Sequence, residues 1–122
     1  MKYILIIFIG IQLFASNSET ELFNKLFTIL FQKNSVNIYT KKYSFLSNNL
    51  KIVNSCKKAD LVLGELNCSK PKFLLNYYHF KKNKNAIGAF YWRKGRPQLK
   101  LRKQILQKYN LFISKNFEDY LE

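Results

Sequence analysis

Apolar and polar positions recur along the chain with two periods, and each period predicts one kind of element. Leu22, Phe23, Leu26, Phe27, Leu30 and Phe31 recur at helical spacing, so an amphipathic helix is predicted from about Glu19 to Gln32, its Leu/Phe stripe facing a core rather than a ligand. Ser18, followed by Glu21 just before the apolar run, reads as a capping box at its start. Beyond it come short runs rich in strand formers: Ser35–Tyr39, Leu50–Val53, Ala59–Gly64 and Phe73–Tyr78. Ala59–Gly64 is apolar on both faces, as a covered central strand would be.

In Ala86–Trp92 the residues Ile87, Ala89 and Tyr91 alternate with Gly88, Phe90 and Trp92. Neither set carries charge, which predicts a strand buried on both sides. Arg93–Pro97 is a turn, where Gly95 can take positive φ and Pro97 tolerates only a turn or an edge. From Gln98 to Lys103 the alternation is of the half-wet kind, with Leu99 and Leu101 inward and Lys100 and Arg102 outward. Helical turns are expected over Gln104–Tyr109 and Lys115–Leu121, the second capped by Ser114, with the apolar trio Leu111–Ile113 between them. Interleaved helices and strands make an α/β fold, a small single-domain sandwich with a mixed β-sheet and flanking helices.

The stretch before this domain changes the picture. Lys2 is followed by an almost wholly apolar run from Tyr3 to Phe14, then by the small residues Ala15, Ser16 and Ser18. That order is the grammar of a secretory signal. The run is shorter than the ~20 residues that span a bilayer. Residues 1–18 are therefore expected to be a cleaved signal peptide and residues 19–122 the mature domain, in the periplasm or secreted. An uncleaved anchor or a core helix is the other reading of the same run.

Export bears on the charge. A formal net charge of +14 ordinarily points to nucleic acid, but an exported protein rarely meets it, so no nucleic-acid partner is expected. Arg supplies three of the 21 basic residues, and Lys is the weaker residue for bidentate phosphate recognition. The charge reads either as a solvated Lys-rich face or as a surface for an anionic partner: an acidic protein, a small anion, or a lipid headgroup at peripheral contact.

Little in the sequence points to catalysis. His79 is the one histidine, set among aromatics, and it reads first as a packing residue. No zinc-ligand spacing, nucleophile elbow or Gly-rich phosphate loop occurs, so no metal, cofactor or catalytic residue is assigned. A pocket holding His79 beside a carboxylate would be the sign of a hydrolase. Cys56 and Cys68 suggest a disulfide in an exported chain. Yet if Ala59–Leu66 is one straight strand, its ends lie roughly 23 Å apart, and the flanking residues reach back only at full stretch. A bridge and two separate thiols both stay open. Asn67-Cys68-Ser69 is a glycosylation sequon, discounted if Cys68 is bridged.

The stretch Ile87-Gly88-Ala89-Phe90, the turn at Gly95-Arg96, the strand Gln98–Leu101 and Asn110-Leu111-Phe112-Ile113-Ser114 together resemble the end of the YfiR-like periplasmic proteins. Cys56 with Ala59–Leu63 resembles the middle strand of that family. The chain departs from it where Ala89 follows Gly88 and where Leu101-Arg102 replaces an Ile-Asn pair. The resemblance implies an exported α/β domain without an active site, which binds the periplasmic part of an inner-membrane signalling enzyme and restrains it. The stretch Ala59–Glu65 is also similar, more weakly, to a cleft strand of periplasmic solute-binding proteins, of which this chain could form one lobe.

The leading expectation is a binding and regulatory module, not an enzyme. Arg93, Lys94, Arg96, Lys100 and Arg102 would present a basic surface to an acidic partner. Tyr91 and Trp92 read first as core and as aromatic anchors only if exposed. The alternative is a single-lobe solute or anion receptor, in which Asp60, Glu65 and Lys70 at strand ends would matter more.

Overall fold

A computed structural model describes residues 12–122. Most of the expected signal segment, and its charge and apolar core, lies outside these residues. Helix α1 (Gln12–Phe31) begins upstream of Ser18 and runs through it without a break. Ser18 is therefore inside the helix and does not cap it. Phe23, Leu26, Phe27 and Leu30 are buried, as the stripe predicted. Each Phe so buried contributes roughly 1.5–3 kcal/mol relative to exposure. The helix ends where Gln32 takes φ 52°, the left-handed exit common after a helix.

Six short strands follow: β1 (Val36–Tyr39), β2 (Leu50–Val53), β3 (Leu61–Leu63), β4 (Lys72–Leu74), β5 (Gly88–Arg93) and β6 (Arg96–Leu101). They form one sheet in the order β2-β1-β3-β4-β5-β6. All neighbours are parallel except β5 and β6, which make an antiparallel hairpin. The protein is thus a small α/β domain with a mixed sheet and flanking helices.

The main core lies between one sheet face and α1. Phe23 meets Phe73 and Phe90 edge-on, and Phe27 meets Phe73 at 5.1 Å between ring centroids. Leu106 of α3 (Lys103–Lys108) and Phe117 of the 3-10 helix Lys115–Tyr120 close the same layer. Ser114 caps that last helix, its hydroxyl accepting the Asn116 N–H at 3.2 Å. A smaller cluster of Leu74, Phe80, Ala86, Ala89 and Tyr91 packs on the opposite face, under α2 (Tyr77–Lys82). As the alternation in β5 required, Phe90 belongs to one cluster and Ala89 and Tyr91 to the other.

The structure corrects the predicted Phe73–Tyr78 strand: it stops at Leu74, and Tyr77 and Tyr78 open α2. The cause is Asn76, whose side chain accepts the N–H groups of Tyr78 at 2.8 Å and His79 at 3.1 Å. An Asn in this position satisfies the first helical donors and overrides the strand preference of the tyrosines.

A second correction concerns the cysteines. Cys56 and Cys68 form a disulfide, with Cα atoms 5.6 Å apart. The objection from reach assumed a straight strand from Ala59 to Leu66. β3 occupies only Leu61–Leu63. Before it, the Ala59 N–H turns back to the Cys56 carbonyl at 3.1 Å, and after it Gly64, at φ 111°, bends the chain away. With Cys68 bridged, the sequon at Asn67 is set aside. Among the described residues no helix is long and apolar enough to cross a membrane.

Candidate functional site

Because β1 to β5 run in one direction, the segments that leave them converge on one edge of the sheet. Two features of this edge concern binding: the tip of the β5–β6 hairpin and a crevice beside β1, β3 and β4.

The hairpin turns through Lys94 and Gly95, at φ 53° and 78°. Positive φ at both central residues is what a type I′ turn demands, and its twist matches that of the flanking strands. Arg93 and Arg96 are a cross-strand pair on either side of it. Arg93, Lys94 and Arg96 are exposed, and none has a carboxylate partner among the described residues. The Arg93 guanidinium lies 5.2 Å from the centre of the Tyr77 ring, with Tyr78, 72% exposed, stacked edgewise beyond it.

Trp92 stands on the other face of the hairpin and is 49% exposed. Its inner edge meets Phe90 at 6.1 Å, and its indole N–H donates to Glu19 Oε2 at 3.0 Å. The other oxygen of Glu19 accepts the Tyr43 hydroxyl at 3.4 Å. Burial, then the Glu19 charge and hydrogen bond, push the Tyr43 phenol up to about 12. Glu19 thus fixes the Trp92 ring from α1.

The expected basic ladder is only partly present. Tyr91 is buried at 7% exposure and is not an anchor; its phenol is pushed up, chiefly by burial. Lys100 is half-buried and pairs with Glu122 at 3.9 Å, away from the tip. Arg102 does not face outward. It ends β6 and sits at the N-cap of α3, where its guanidinium donates to the carbonyls of Phe80 at 2.6 Å, Ala86 at 3.2 Å and Asn83. Desolvation lowers its pKa. The alternation predicting it outward fails because the strand has ended: the chain turns at Arg102 and directs the side chain under α2.

The crevice is open and about 370 Å³ in volume. Lys41 and Lys42, just past β1, form one wall, and Gly64, Glu65 and Leu66, just past β3, form another. Glu65 accepts the Asn83 side-chain N–H at 2.6 Å and lies 3.4 Å from His79 Nε2. The Asn83 hydrogen bond, with the nearby cations His79, Lys72 and Lys82, lowers the Glu65 pKa. His79 therefore does stand beside a carboxylate, but both side chains are over 40% exposed, and no Ser, Thr or Cys lines the crevice for the imidazole to activate.

No family model, curated protein or solved structure matches the chain.

The strand-end set of Asp60, Glu65 and Lys70 does not converge. Asp60 lies at the amino edge, where it accepts the Asn37 N–H at 2.9 Å and pairs with Lys33 at 2.8 Å. Lys70 is at that edge too, donating to the Ala59 carbonyl at 2.7 Å. The structure adds residues that the sequence did not single out: Tyr77 and Tyr78 beside the hairpin, Glu19 under Trp92, and Lys41 and Lys42 at the crevice. Only the Asn76 cap signalled any of these in the sequence, since it turns the two tyrosines into the first residues of a helix.

Proposed function

We propose that this chain is an exported, non-enzymatic regulatory module that binds an acidic periplasmic region of an inner-membrane signalling protein. The contact surface is the tip of the β5–β6 hairpin. One observation carries the reading: Arg93, Lys94 and Arg96 stand exposed and without carboxylate partners among the described residues, around a half-exposed Trp92 held in place by Glu19. Fixed aromatic and arginine side chains are the kind that dominate interface energies, and unpaired cations steer an acidic partner toward them. The resemblance to the YfiR-like proteins supplies the class of partner. The disulfide supports a compartment in which thiols are oxidised.

A photo-crosslinking residue introduced at Lys94, in the native cells, tests this. An inner-membrane signalling protein with an acidic periplasmic region is expected as its adduct. The same residue at Lys51, exposed on the outer strand β2, should not capture it. Equal capture from both positions, or capture of no such protein at Lys94, overturns the proposal.

A further inference from the structure

The sheet order β2-β1-β3-β4-β5 has a property independent of the hairpin. From β1 the chain moves to one side, into β2, and from β3 it moves to the other, into β4. The loops that leave β1 and β3 therefore diverge, and a crevice opens between them at the carboxyl ends of the strands. In open α/β sheets this switch point is where ligands bind.

The crevice of about 370 Å³ described above lies at that point, within the size range of small-molecule sites. Its lining is asymmetric. The β1 wall offers two ammonium groups, Lys41 and Lys42, both exposed and neither paired with a carboxylate among the described residues. The β3 wall offers Glu65, already held by Asn83 and His79. Leu63, Leu66 and Leu75 supply apolar surface between them. Gly64 keeps the floor open: it has φ 111°, and a Cβ there would have no atom within 4 Å.

We infer that this crevice binds a small organic carboxylate with an apolar side group. The carboxylate lies toward Lys41 and Lys42, the side group lies over the leucines, and the negative Glu65 wall sets the orientation by repelling the anionic end. Inorganic anions satisfy the lysines alone and leave the leucines uncovered. Nothing in this inference depends on the hairpin or its partner.

Amide shifts of the isotope-labelled protein, titrated with acetate, butyrate, leucine, succinate and inorganic phosphate, test it. Saturable shifts at Lys41, Lys42, Gly64 and Glu65 are expected with butyrate or leucine. Phosphate should give none. Lys41→Gln with Lys42→Gln, both surface changes, should weaken binding about tenfold or more and leave the rest of the spectrum in place. Arg93→Glu with Arg96→Glu should leave it unchanged. Three results overturn the inference: no saturable shift with any carboxylate, equal shifts with phosphate, or undiminished binding by the lysine double variant.

Discussion

The guanidinium of Arg102 lies 3.8 Å from the centre of the Phe80 ring and donates to the carbonyl of the same residue at 2.6 Å. One side chain thereby holds the end of α2, the Asn83–Ala86 turn and the start of α3 against each other. Its role is structural. Arg102→Ala leaves those carbonyls without their charged donor and should cost roughly 2–4 kcal/mol. Arg102→Lys keeps the charge but not the planar fork and should fall between the two. Denaturant unfolding measures both, and a loss below about 0.5 kcal/mol, typical of a surface change, would contradict the assignment.

The Cys56–Cys68 bridge closes a loop with a sequence separation of 12. For a loop of that size the chain-entropy account gives about 3 kcal/mol. Cys56→Ser with Cys68→Ser should lower stability by that order, and thiol titration of the unreduced native protein should find no free thiol.

What the sequence made legible was what repeats locally. The Phe23, Leu26, Phe27 and Leu30 stripe has the helical period, and the Arg93–Pro97 turn sits between two alternating strands, so α1 and the hairpin were readable. Misreadings fell where one residue ends a pattern. Asn76 ends β4 early, Gly64 ends β3 early and so brings the cysteines within reach, and Arg102 stands one position past the last strand residue. The crevice was illegible for a different reason. Lys41, Glu65 and His79 come from three separate segments, joined only by the parallel strand order.

Tyr43 predicts a limit at high pH. Its phenol is raised from the usual 10.0 to about 12 by burial and by Glu19. Above pH 10 the unfolded chain gives up this proton and the folded one keeps it, so stability contributed by the protonated form is lost as pH rises from about 10 to about 12. Phenolate absorbance should show one of the eight tyrosines titrating late. Glu19→Gln should move that step to lower pH, and an unmoved step would contradict the contact.

Gly88 is required by contact rather than by φ. A Cβ there would press on the Lys100 carbonyl oxygen and the Leu101 backbone of the paired strand. Gly88→Ala should destabilise by about 1–3 kcal/mol, as overpacking does. Gly64→Ala meets no neighbouring atom but strains a φ of 111°, so its cost should not be relieved by trimming neighbouring side chains.

The central claim is that the hairpin tip holds the partner. Its most direct test is the Arg93→Glu, Lys94→Glu, Arg96→Glu triple variant, recovered from its own cells beside the wild type under mild crosslinking. All three side chains are exposed, so the melting temperature should not change. The account predicts that an inner-membrane signalling protein accompanies the wild type, that added salt reduces its recovery, and that the triple variant loses it. Undiminished recovery with the folded triple variant, or no such protein with the wild type, would contradict it.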